Sequence, residues 1–143
     1  MNKRSTLLLV LFIFLLLLVR IYTTSELEHT SDADNDAILQ AYANKNSNII
    51  VSGSGRVIKK LRDDLKGSKH QKFIIELDNN HTLLISHNID LAPRIKSLQQ
   101  GDLLLFKGEY EWNRQGGVVH WTHRDPRGKH PNGWIKHNGK FYQ

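Results

Sequence analysis

The C-terminal stretch VVHWTHRDPRGKHPNGWIKHNGKFYQ, Val118 to Gln143, concentrates the residue types that could do chemistry. It carries His120, His123, His130 and His137, four of the chain's eight histidines, with Trp121, Trp134 and Asp125 among them. Neutral imidazole is the commonest nitrogen ligand for zinc, and a His-x-x-His pair with a third group is a workable site. Strand side chains alternate faces, so His120 and His123 share an ion only if the strand stops near Thr122 and the chain turns. Asp125-Pro126-Arg127-Gly128 is a good turn sequence and would swing His130 back towards the strand end. The metal reading is therefore His120, His123 and His130, with Asp125 as a fourth ligand or as the acceptor orienting one of them. No cofactor is required by these residues, and zinc is the one they would take. The competing reading is that the imidazoles pin an irregular tail to the rest of the domain through hydrogen bonds.

Two other chemistries are open to these residues. In a hydrolase, His120 or His123 would act as general base with Asp125 behind it. Ser52, Ser54 and Thr122 are nucleophiles by residue type only, because no GxSxG elbow and no phosphate-binding glycine loop is present. In a binding module, Tyr110, Trp112, Trp121, Arg124 and Trp134 would form the ligand surface, with Lys107 and Arg114 beside them and Lys59, Lys60 and Arg62 on the first strand. Stacked aromatics among cations are what single-stranded nucleic acid needs. Asp32, Asp34 and Asp36 do not start a calcium loop, since its sixth position would be Ala37 and its twelfth Ala43.

The N-terminus bears on which ligands are within reach. Lys3-Arg4 precedes an unbroken apolar run from Leu7 to Val19, the pattern of an export signal. The run spans about 20 Å as a helix, and Ser5 to Tyr22 about 27 Å, against a hydrocarbon core of roughly 30 Å. Residues 1–22 thus read as a signal peptide or an anchor, with residues 5–22 in the inner membrane if they are not cleaved. Residues 23–30 read as a linker and residues 31–143 as a domain on the periplasmic side, anchored or released. With no cysteine, that domain has no disulfide. Three of the 20 basic residues belong to the N-terminal segment, so the net charge of +6 falls to +3 against 14 acidic residues. This mild charge and the exported address make nucleic acid a weighed but unfavoured partner.

The elements that must position these groups are mostly strands. A short helix within residues 31–46 is capped by Ser31 or Asp32, and Ile38 and Tyr42 share one of its faces. NIIVSGSGRVIKKL, QKFIIEL, HTLLISHNI, GDLLLFKGEYEW and VVHWTH are five strands, with a bend or bulge expected at Gly53 and Gly55. LAPRIKSLQQ is a helical turn before the fourth strand. WIKHNGKFY is a hairpin on Asn138-Gly139. The fold class is all-β with short helices: a small OB-like five-stranded barrel, an N-terminal helix and a C-terminal loop and hairpin. The expected core is Ile50, Val57, Ile58, Phe73, Ile75, Leu77, Leu83, Ile85, Leu104, Phe106, Val119 and Trp121.

The tetrapeptide His120-Trp121-Thr122-His123, followed by RDPRGKHPNGWIKHNGK, resembles a bacterial domain-of-unknown-function family marked by an HWTH motif. The resemblance covers Ser31 to Gln143 and implies no activity. In architecture alone the chain is also similar to small periplasmic OB-fold proteins, a likeness that does not transfer function. The reading is an exported domain acting as a non-enzymatic binding or structural module through its His/Trp-rich C-terminal element. A metal-dependent, nuclease-like hydrolase on His120, His123 and His130 stays open beside it, as does binding of single-stranded nucleic acid or a glycan.

Overall fold

The computed structural model describes residues 10–18 and 33–143. Residues 10–18 are helical (α1), and no helix among the described residues is long and apolar enough to cross a membrane. Both flanks of segment 5–22, the linker at 23–30 and the expected caps Ser31 and Asp32 lie outside the described residues. Residues 33–143 form one unit.

Helix α2 spans Asn35–Ala43 and is capped by Asp34, whose carboxylate accepts from the Ala37 amide at 2.9 Å. Asn35, in the first turn, donates to the Ser54 carbonyl and to Asp78, and accepts from the Ser54 amide. These bonds fix the helix against the first strand and press Ile38 and Ala41 into the core.

Seven strands follow: β1 (Ile49–Lys60), β2 (His70–Glu76), β3 (Thr82–Asn88), β4 (Leu103–Glu111), β5 (Val118–His120), β6 (Trp134–His137) and β7 (Lys140–Tyr142). The first half of β1 pairs with β4 and its second half with β2, both antiparallel, so one long strand serves two neighbours. A parallel pairing of Leu84–Ile85 with Val118–Val119 joins β3 to β5 and closes the sheet. The closed order β1-β2-β3-β5-β4 is the expected five-stranded OB barrel. β6 adds to β4 beyond the barrel, and β7 returns along β6 through Asn138-Gly139, both at positive φ as a type I′ turn requires.

Alternation sends Phe73 and Ile75 of β2, Leu83 and Ile85 of β3, and Leu104 and Phe106 of β4 inward, all essentially without exposure. Three expected core residues are elsewhere. On β1 the buried set is Val51, Gly53, Gly55 and Val57, which leaves Ile50 exposed and Ile58 half-buried. Trp121 is half-buried because β5 has already ended at His120.

The irregularity in β1 also lies elsewhere than expected. The register slips between Val57 and Lys59, while Gly53 and Gly55 pair regularly with β4. Gly53 is there for space. A Cβ on it would stand 2.7 Å from the Phe106 ring and 2.8 Å from both Asn35 Oδ1 and Ile38 Cδ1.

Residues 91–100 contain no helix. Pro93 has no amide to donate, and the segment spends its backbone groups on the barrel. The Gln71 side chain donates to the Ile95 carbonyl at 3.0 Å and accepts from its amide at 2.9 Å, and Ile95 and Leu98 are buried.

Candidate functional site

The strand carrying His120 stops because Trp121 takes φ +53, a left-handed conformation uncommon for a non-glycine residue. The chain turns there and buries Thr122 and His123. The Thr122 hydroxyl meets His87 Nδ1 on β3 at 2.8 Å, while His87 Nε2 donates to the Pro93 carbonyl at 3.2 Å. Burial, its main cause, pushes the His87 imidazole down from 6.5 to about 4. His87 is therefore a neutral structural pin at neutral pH.

The loop that follows is organised by Asp125. Its carboxylate accepts from the amides of Arg127 at 2.8 Å, His130 at 2.9 Å and Lys129. The Arg127 amide first, with the other two, holds this carboxyl below the usual carboxylate range. Gly133 then brings the chain back: its amide donates to the His123 carbonyl at 2.9 Å, and a Cβ there would overlap the carbonyls of Trp121 and Lys107.

This turn and loop form one wall of a cavity of about 340 Å³, closed on the other side by Ser68 and His70 at the start of β2 and by Asn88 at the end of β3. Four imidazoles line it: His70, His120, His123 and His130. In three of them Nδ1 lies against a backbone carbonyl, His70 on Ser68 at 2.8 Å, His123 on Arg124 at 2.7 Å and His130 on Pro131 at 2.8 Å. A carbonyl can only accept, so each of these Nδ1 atoms carries the proton and Nε2 is left with its lone pair. None of the three Nε2 atoms makes a hydrogen bond among the described residues, and His130 Nε2 stands 4.0 Å from Asp125 Oδ2. The His130 ring stacks on Trp121 with centroids 4.2 Å apart and meets His123 edge-on at 5.1 Å. Arg127 and Lys129 are exposed on the rim.

Beside the cavity, Glu109 and Glu111 share one face of β4, and Glu109 stands opposite His120 in the β4–β5 ladder. Their ligand atoms and that of His120 all lie within 4.8 Å of one another. Burial first, then the Glu111 carboxylate, raises Glu109, and burial lowers His120 against the pull of Glu111.

The candidates from the sequence are thus partly gathered. His120, His123, His130 and Asp125 line one cavity, yet among the described residues they do not bring three ligand atoms within 4.8 Å of each other. Asp125 spends its oxygens on loop amides. His137 is away from the cavity, buried in β6 with Nε2 2.8 Å from Asp102.

The aromatic set is dispersed. Tyr110 is wholly buried and donates to the Gly116 carbonyl. Trp112 donates to the Tyr42 carbonyl at the end of α2, and Trp134 packs edge-on against Phe141. Arg124 is exposed, and only Trp121 lines the cavity. These positions do not make the continuous stacking platform that single-stranded nucleic acid requires.

Sequence reasoning missed His70, Glu109 and Glu111. The signal for the two glutamates was available: Glu-Tyr-Glu puts both on one strand face, and the hairpin through Asn113–Gly117 lays that face against His120. His70 carried no signal, because its place depends on the parallel closure of the barrel.

The family model described as Protein of unknown function (DUF3465) matches residues 19–143. No curated protein matches the chain.

Proposed function

Because the chain belongs to that family, which brings no activity with it, we propose from the geometry that it is a ligand-binding module whose working surface is the histidine-lined cavity. The ligand is a small molecule carrying an anionic group. The observation that carries this reading is the common tautomer of His70, His123 and His130, each clamped through Nδ1 with Nε2 left for a ligand. A neutral Nε2 accepts a hydrogen bond, and a protonated one donates to an anion. Arg127 and Lys129 add positive charge at the rim, while the Asp125 carboxylate is occupied by its own loop. OB barrels use the face of β2 and β3 and the loops around it for binding, and this cavity takes in the ends of both strands. The positive and then apolar N-terminal segment supports an exported domain on the periplasmic side of the inner membrane.

The test is a nuclear magnetic resonance titration of the full chain, labelled in its histidines, with inorganic phosphate and with glucose 6-phosphate. Saturable shifts at His70, His123 and His130 are expected, and they should disappear in an Arg127→Glu, Lys129→Glu protein. Shifts spread evenly over all histidines, or none with either probe, would reject the reading.

A further inference from the structure

Glu109 and Glu111 lie two apart on β4 and so project from one face, with His120 directly opposite the first and diagonal to the second. We infer that Glu109, Glu111 and His120 form a binding site for one divalent transition-metal ion of the zinc or manganese class. The inference goes beyond the ligand cavity and does not require that reading to hold.

Two observations separate this trio from an ordinary solvated acidic pair. The first is a poorly satisfied atom: His120 Nε2 is shut off from solvent and makes no aligned hydrogen bond, although a Glu109 carboxylate oxygen stands 3.4 Å away. A buried polar atom without an aligned partner is unfavourable, so a partner for this nitrogen is expected, and a metal ion would take it through the ring's lone pair. The second is spacing. Ligands bound about 2 Å from a tetrahedral zinc ion stand roughly 3.3 Å from each other, and His120 Nε2 lies 3.4 Å from Glu109 Oε1. The third ligand atom is within 4.8 Å of both, a gap that a side-chain rotation closes.

The donor set narrows the ion. An imidazole with two carboxylates suits zinc or manganese better than calcium, which takes oxygen ligands only, or copper(I), which prefers sulfur. Both glutamates are held on a barrel strand, and His120 is held in the ladder beside them. The site is therefore built on rigid backbone, with His120 also facing the cavity.

The experiment is a calorimetric titration of the metal-free, untagged full chain with Zn²⁺, run beside Glu109→Gln, Glu111→Gln, His70→Ala and His123→Ala proteins. Glutamine keeps the shape of glutamate, and circular dichroism checks each fold; where one glutamine variant does not fold, the other decides. One equivalent of zinc is expected in the parent, His70→Ala and His123→Ala proteins, with saturable binding lost in the glutamine variants. The inference is overturned if zinc binding survives the glutamine substitutions, if it is lost in His123→Ala instead, or if the parent binds none. The phosphate titration with the Arg127 and Lys129 changes is read separately, so failure here and failure of the cavity reading are distinct results.

Discussion

His87 Nδ1 on β3 and the Thr122 hydroxyl lie 2.8 Å apart, and that contact ties the barrel wall to the turn on which the candidate site is built. Both residues are fully buried. Thr122→Val keeps the shape and removes the bond, leaving an imidazole nitrogen without a partner. A loss of about 1–3 kcal/mol in urea unfolding is expected, with the largest amide shifts in residues 121–133. An unchanged midpoint would show that the contact is incidental.

The same histidine sets a pH dependence. Its folded value of about 4 lies below the ordinary 6.5, so between these values the unfolded chain binds the proton and the folded chain does not. Stability is then full above about pH 6.5 and falls as pH drops towards 4, by about 3 kcal/mol from this group. Unfolding curves at several pH values should show the fall, and His87→Gln should flatten it. A slope unchanged in His87→Gln would assign the effect to other groups.

Gly133 and Gly128 separate two ways in which glycine matters. A Cβ at Gly133 would meet the backbone carbonyls of Trp121 and Lys107, whereas Gly128, at φ +63, has open space around it. Gly133→Ala should cost at least about 1–3 kcal/mol, as overpacking does, and disturb the cavity. Gly128→Ala should cost about 1 kcal/mol through its backbone conformation alone. Thermal unfolding of the two variants gives the comparison, and equal losses would mean that Gly133 is not the point where the loop is threaded.

The barrel phase has its own check. Phe73→Ala and Phe106→Ala remove wholly buried rings and should each cost about 3–5 kcal/mol. Lys72→Ala, one residue from Phe73 and on the other face, should stay within about 0.5 kcal/mol. Comparable losses at Phe73 and Lys72 would put the strand on the wrong face.

Export is tested by a reporter fused after Gln143. Activity in the periplasm and not in the cytoplasm is expected from the Lys3-Arg4 and Leu7–Val19 pattern. Cytoplasmic activity would contradict it.

What the sequence disclosed follows the range of the interactions. Alternation in β2, β3 and β4 and the Asn138-Gly139 turn are local, and they came through with the barrel order. Trp121 was misplaced because a bulky residue at positive φ has no sequence signature, and the strand stops there in place of carrying one more core residue. The β1 phase is not legible because Gly53 and Gly55 occupy inward positions usually held by large side chains, and their small size answers to residues on other elements, Phe106 and Ile38 at Gly53 and Ile75 and Leu77 at Gly55. Residues 91–100 look helical in pattern, but Gln71 claims their backbone from another strand. Of the site, the tail histidines were visible as a cluster. His70 joins it, and His87 pins its turn, only through barrel closure, which no local spacing encodes.

The most direct measurement is the protonation pattern of the ring nitrogens in the histidine-labelled full chain, read by nitrogen-15 resonance at about pH 8, above the ordinary histidine range. His70, His123 and His130 should each show a protonated Nδ1 and an Nε2 with a lone pair, the arrangement fixed by the Ser68, Arg124 and Pro131 carbonyls. A bare Nδ1 at His123 and His130, with the proton moved to Nε2, would mean that neither ring is clamped by its carbonyl, and would contradict the site.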